Sequence, residues 1–220
     1  MMKRIFIIRH GKTQWNLEKR LQGAGANSKL LLDDANLANY GRLATYLDTY
    51  QFAAAYASPI ERATETARLV IEQFKNNSDL KIQQLDDLKE VSFGKWEGRS
   101  KAELMDENLE LFKKLSKRQN DPELAAIGVE NFTEARQRFA NTIQSISAKL
   151  GPDENAVVFA HGGISQLGIK ELTHNEHLLG LKNLSTSIIA ENHSDFFIDV
   201  YNQTAYLQDI DLNEGNVSIL

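Results

Sequence analysis

Apolar residues along the chain gather into a few short runs, separated by longer stretches with helical spacing. Arg4 to Arg9 is isoleucine-rich and stops at His10-Gly11, the pattern of a fully buried strand. Leu37, Tyr40, Leu43, Ala44 and Leu47 recur on one face of a helix expected over 37–50. Phe52 to Ala57 predicts a second buried strand, stopped by Ser58-Pro59. Ala63, Ala67, Val70, Ile71 and Phe74 then line one side of a helix over 60–74. Lys81 to Leu85 predicts a third, edge-like strand. The stretch from Lys101 to Lys149 is helical and highly charged, broken at Asn120-Asp121-Pro122. Ala156 to Ala160 is again wholly apolar, ends at His161-Gly162-Gly163, and leads into a helix over 164–172. Ser187 to Ala190 and Phe196 to Tyr201 predict two further strands. Buried strands alternating with helices predict an α/β fold: a three-layer α/β/α arrangement with a mostly parallel central sheet and helices on both faces. One domain is expected over residues 1–220, with 101–149 as a helical cap insertion.

Composition narrows the chemistry. The 220 residues carry 25 Lys+Arg against 30 Asp+Glu, a formal charge of −5, so nucleic acid and anionic membranes are not expected partners. There is no cysteine, which excludes disulfides, thiolate metal sites and a cysteine nucleophile. The apolar run after Met1-Met2-Lys3-Arg4 is too short for an export signal, so the cytoplasm is the expected location. On that expectation Asn131-Phe132-Thr133 and Asn183-Leu184-Ser185 are chance matches to a glycosylation triplet. Gly11-Lys12-Thr13 does not end a nucleotide-binding phosphate loop, because Phe6 stands where that loop needs its first glycine. Gly23-Ala24-Gly25 lacks the preceding strand and third glycine of a dinucleotide fingerprint.

The informative residues sit at strand ends. Arg9-His10-Gly11 closes the first strand, Ser58 to Arg62 leads out of the second, and His161-Gly162-Gly163 closes the later apolar one. Ligands of open α/β sheets bind outside the carboxyl ends of the strands. Two arginines and two histidines brought together there make an anion site, since guanidinium forks fit phosphate oxygens.

Four blocks, in order, resemble the histidine phosphatase superfamily, the phosphoglycerate mutase-like family. They are Ile8-Arg9-His10-Gly11-Lys12-Thr13-Gln14-Trp15-Asn16 continuing through Arg20-Leu21-Gln22-Gly23; Ala57 to Ala67; Leu88 to Gly98; and Ala160-His161-Gly162-Gly163. The resemblance implies a small phosphate ester as substrate, inorganic phosphate as product, and neither metal nor other cofactor. It implies His10 as the nucleophile that forms a phosphohistidine. Arg9, Arg62 and His161 would hold the phosphoryl oxygens, with Asn16, Gln22, Gly23 and Gly162 adding neutral contacts. Glu90 would be the general acid and then the base for water. Glu97 competes on composition alone, and the family pattern assigns the acid to Glu90. His174, His177 and His193 lie outside every block and are expected on the surface.

Departures from the family pattern bear on substrate. Lys12 adds a cation beside the nucleophile; it either meets a second anionic group or points to solvent, and solvent is the expectation. The loop after Gly23 is long and is expected to be a flexible rim at the pocket mouth. Lys113, Lys114, Lys117 and Arg118 are expected on a solvated helix face, and Glu130-Asn131 resembles a Glu-Ser pair of the family. Gly163 stands where mutases typically carry asparagine, and their longer insertion is missing. Both differences favour a phosphatase over the first alternative, a phosphoglycerate mutase-type phosphotransferase. The presence of nucleophile, cage and acid together disfavours the second, a non-catalytic phospho-ligand module. Oligomeric state is left open.

Overall fold

The computed structural model describes residues 2–193 and 195–208. Six strands form one sheet: β1 (Lys3–Arg9), β2 (Ala54–Ala57), β3 (Ile82–Gln84), β4 (Asn155–Ala160), β5 (Thr186–Asn192) and β6 (Asp195–Gln203). Their order is β3-β2-β4-β1-β5-β6. The β1–β4, β4–β2 and β2–β3 pairs are parallel, while β1–β5 and β5–β6 are antiparallel. The fold is a mostly parallel α/β sheet, as the alternation of apolar runs predicts.

Alternation along β1 feeds two cores. Phe6 and Ile8 pack with α2 (Asp34–Leu47) and α3 (Glu61–Ile71) on one face. Ile5 and Ile7 face the opposite side, against α7 (Phe132–Lys149) and α8 (Gly162–Thr173). All four side chains are buried to within 1%. Each contributes about 1.5–3 kcal/mol by leaving water.

Three elements differ from the expected bounds, for physical reasons. Helix α2 starts at Asp34, earlier than the apolar stripe, because Asp33 accepts the Asn36 N–H at 3.0 Å and caps it. Strand β2 starts at Ala54 because the Phe52 N–H is taken by Asn77 Oδ1 at 2.9 Å, outside the ladder. The charged stretch over 101–149 divides in two. Helices α4 (Lys101–Glu107), α5 (Leu109–Ser116) and α6 (Pro122–Ala126) precede the site-facing end of α7, whereas α7 itself covers the sheet beside α8. Its apolar side (Phe139, Ala140, Ile143, Ile146) is fully buried in the main core, as a layer helix requires and a detached cap does not. The short α1 (Gln14–Leu17), with a capping box between Thr13 and Asn16, follows the first strand end. Among the described residues no helix is long and apolar enough to cross a membrane.

Candidate active site

Parallel pairing gathers the strand ends. Arg9 lies opposite Ala160, and the His10 N–H donates to Ala160 O at 3.0 Å. Ala57 lies opposite Phe159, and the Ser58 N–H donates to Phe159 O at 2.9 Å. Ser58, His161 and His10 therefore emerge side by side from β2, β4 and β1. The His10 and His161 rings are 5.2 Å apart between centroids, tilted by 60°.

His10 Nδ1 is 2.7 Å from Gly11 O. A carbonyl oxygen only accepts, so Nδ1 carries the proton and Nε2 holds the lone pair. Asn183 Nδ2 donates to both His10 O and Gly11 O, at 2.9 and 3.1 Å, and fixes this turn from the segment before β5. His161 Nε2 meets Ser58 Oγ at 2.8 Å. Arg9 Nη1 donates to Leu181 O at 2.5 Å. Arg62, near the start of α3 and 1% exposed, donates to Gly23 O at 3.0 Å and Ala26 O at 3.2 Å. Burial pushes it down to about 10, against the pull of Glu90. Buried Gln22 Nε2, Arg62 Nε and His161 Nδ1 make no hydrogen bond. Leaving a buried polar atom unpaired costs about 1–3 kcal/mol, and the guanidinium and amide nitrogens among these three can only donate, as an incoming acceptor requires.

Glu90 approaches from the other side. Its carboxylate accepts the N–H groups of Gly163 (3.0 Å) and Ile164 (2.7 Å) at the head of α8, and that of Val91 at 3.0 Å. The paired glycines are explained by this crowding. A Cβ on Gly162 would lie 3.0 Å from Arg9 Nε, and one on Gly163 would lie 2.8 Å from Glu90 Oε1.

Both imidazoles are held well below the ordinary histidine range, His10 by burial, then Arg62 and Arg9, and His161 by burial, then Arg62, His10 and Arg9. An unfolded chain protonates these histidines near pH 6.5 while the folded protein leaves them neutral. The unfolded state then binds more protons, so stability is full above that pH and falls below it. Denaturation midpoints are expected to drop between about pH 7.5 and 5.5, with a limiting slope of roughly 1.4 kcal/mol per pH unit for each histidine. A midpoint unchanged or higher at the lower pH contradicts a neutral pair.

A cavity of about 1130 Å³ opens in front of these groups. Arg9, His10, Asn16, Gln22, Glu90 and Gly162 line it, and Lys12 does too, contrary to the expectation that it points to solvent. Arg62 and His161 lie deeper, off the cavity wall. Gly23 also lies behind the wall; its carbonyl serves Arg62, and a Cβ there would collide with Glu97. Glu97 accepts the Phe93 N–H at 2.9 Å and is a brace.

Residues 5–204 match the family model of the histidine phosphatase superfamily (branch 1). The chain belongs to the histidine phosphatase superfamily. It is 26% identical to a metal-independent phosphoserine phosphatase of Arabidopsis thaliana, over 94% of this chain and 84% of that one. It is 30% identical to an adenosylcobalamin/alpha-ribazole phosphatase of Escherichia coli, over 77% and 78%. Among solved structures, a phosphoglycerate mutase from Bacillus anthracis superposes with a TM-score of 0.79 at 25% identity, covering 93% of this chain and 95% of that one.

Around this candidate site of the histidine phosphatase chain, several expectations are corrected. The loop after Gly23 is no flexible rim: Gly23 and Ala26 carbonyls hold Arg62, Asn27 Nδ2 donates to Glu61 at 2.7 Å, and buried Ser28 accepts the Trp15 N–H at 3.1 Å. Arg118 is not on a solvated face. A left-handed backbone (φ 55) at the end of α5 turns it inward, over the Phe93 and Phe132 rings at 5.4 and 5.7 Å. Lys113 and Lys117 also line the cavity. Lys101 joins them; burial and the charges of Arg9, Arg118 and Lys19 push it down to about 8. Asn183 and Lys101 escaped sequence reasoning because one sits in a triplet with another common meaning and the other opens a charged helix outside every motif. His174, His177 and His193 are exposed, as expected.

Proposed function

We propose that this protein is a metal-independent phosphomonoester hydrolase acting on a small phosphorylated metabolite through a phosphohistidine on His10. The observation that carries the reading is a neutral buried imidazole, its Nε2 lone pair free, beside two arginines and a second imidazole, with a carboxyl facing the same cavity. His10 Nε2 attacks phosphorus while the P–O bond to the alcohol breaks. Glu90 gives its proton to the departing oxygen, and then takes one from the water that cleaves the phosphorus–nitrogen bond. Arg9 and Arg62, with His161 and Gln22, stabilise the equatorial oxygens, so charge neutralisation comes from guanidinium groups. The phosphatase relatives support hydrolysis. Gly163 supports it as well, since asparagine there would push into Glu90.

The cavity bears on the leaving group. Among the described residues no carboxylate forms an ion pair with Lys101 or Arg118, and both line the cavity. These two cations favour an alcohol that carries a second anionic group. A panel of phosphoglycerates, sugar phosphates and nucleotides, read by phosphate release with and without chelator, tests the assignment. Hydrolysis is expected to survive chelation. Metal-restored activity, or an isomerised phosphoglycerate without free phosphate, defeats it. For a substrate with a second anion, KM is expected to rise as pH increases through about 8, where Lys101 loses its proton, and Lys101→Met is expected to abolish that dependence. A pH dependence that survives in the variant removes Lys101 from substrate binding.

A further inference from the structure

The segment that carries Glu90 belongs to no strand or α-helix. It consists of 3₁₀ turns at Asp86–Leu88 and Gly94–Trp96 joined by extended residues. Leu88 and Val91 anchor it in the core by burial, which sets its depth but leaves its tilt to be fixed by polar contacts. Those come from α7 and the residue pair before it. Arg138 Nη1 donates to the carbonyls of Asp87 and Lys89, at 2.6 and 3.1 Å. Arg138 Nη2 and Nε donate to Glu130 Oε1 at 2.9 and 3.2 Å. Glu130 Oε2 accepts the Ser92 N–H at 3.1 Å, and the Glu130 N–H donates to Ser92 O at 2.9 Å. Peptide groups on both sides of Glu90 thus depend on one ion pair, whose side chains are 22% and 25% exposed. A planar guanidinium can serve two carbonyls and a carboxylate at once, which an ammonium cannot do in the same geometry.

We propose that Arg138 and Glu130 form a positioning pair for Glu90, fixing the distance and angle at which its carboxyl meets the leaving oxygen without touching substrate. This rests on the reading of Glu90 as the general acid. The far end of Glu90 is pinned by Gly163 and Ile164, and its backbone end by this pair, so the side chain is held at both ends. A misplacement of about 1 Å costs up to roughly 100-fold in rate. The groups around His10 sit on β1, β4 and the start of α3 and do not depend on this anchor.

The test compares kcat/KM for an alkyl phosphate, whose alkoxide needs a proton, with that for p-nitrophenyl phosphate, whose phenolate does not. Arg138→Met is expected to lower the alkyl value by about 30-fold and the aryl value by less than about threefold. Arg138→Lys should recover part of the alkyl loss. In a Glu90→Gln background Arg138→Met should cost nothing more, because the two residues act through one group. The positive charge of Arg138 also bears on His161, but that effect falls on both esters and cancels in their ratio. Equal losses on the two esters, or an additive loss on top of Glu90→Gln, overturn the positioning role while leaving Glu90 as the acid. A Glu90→Gln variant that does not discriminate between the esters overturns the acid assignment itself. Should Arg138→Met not yield folded protein, Glu130→Gln decides by the same ratio: an alkyl-selective loss supports the pair, an even loss removes it.

Discussion

His10→Ala is expected to fold and to lose turnover by about 10⁵-fold, together with the ability to carry phosphate. The residue is 3% exposed, and its ring contributes one hydrogen bond, to Gly11 O, so the truncation removes little that the core needs. What disappears is the Nε2 lone pair. The second imidazole, His161, is not placed to take its part through Nε2, which is engaged with Ser58 Oγ. The remaining arginines would still bind phosphate, so KM for a slow residual reaction is expected to change far less than kcat. Phosphoramidate bonds survive alkali and break in acid. Wild-type enzyme quenched in alkali with labelled substrate should therefore retain label on His10, an acid quench should lose it, and the variant should show none. Label on serine or aspartate, or a variant with wild-type rates, would end the phosphohistidine mechanism. A melting curve confirms that the variant is folded.

Arg62→Met carries the second largest effect, a loss of roughly 10³-fold in kcat/KM. Methionine matches the aliphatic stem and fills the same buried space, so packing beside Ala63 and Thr66 is kept. The wild-type guanidinium is 1% exposed and bonded to two neutral carbonyls, Gly23 O and Ala26 O, with its proton affinity lowered by burial. Such a cation is costly in the empty protein and gains a counter-charge when a phosphoryl group arrives. Inorganic phosphate should accordingly raise the melting temperature of wild type; at 100 times Kd the linkage is worth about 2.7 kcal/mol. In Arg62→Met that phosphate-induced rise is expected to vanish. Arg68→Met, on the exposed face of the same helix and paired with Glu65 and Glu72, serves as the control and should change neither property. A variant of Arg62 that keeps its phosphate-induced shift would show that the cation is a structural fixture of the 23–26 loop alone.

Much of this was legible residue by residue. Phe6 and Ile8 against Ile5 and Ile7 announce a strand buried on both faces, and Ala156 to Ala160 does the same for β4. The position of His10 and His161 directly after those runs placed them at strand ends, where side chains leave the sheet. Short-range signals failed where a distant partner overrides them. The 24–28 segment reads as flexible from its small residues, yet a guanidinium from α3 captures its carbonyls. Arg118 reads as one more helix-face cation, yet a single left-handed residue and two aromatic rings from other segments turn it inward. Helix α7 reads as part of an insertion because its neighbours are charged helices, but its Phe139 and Ile143 stripe decides its place against the sheet.

By itself the amino-acid order determined the layered α/β class, the strand ends that bear histidine and arginine, and membership of one family, because periodicity and short motifs are local properties of a chain. Only the tertiary structure decided which ring nitrogen of His10 holds a proton, that Gly23 serves Arg62 and stays off the cavity wall, and that Arg138 holds the backbone around Glu90. Those facts depend on contacts between residues dozens of positions apart. Hydrogen bonding and burial act through space, and no pattern along the chain encodes the separation of two side chains until the sheet has set it.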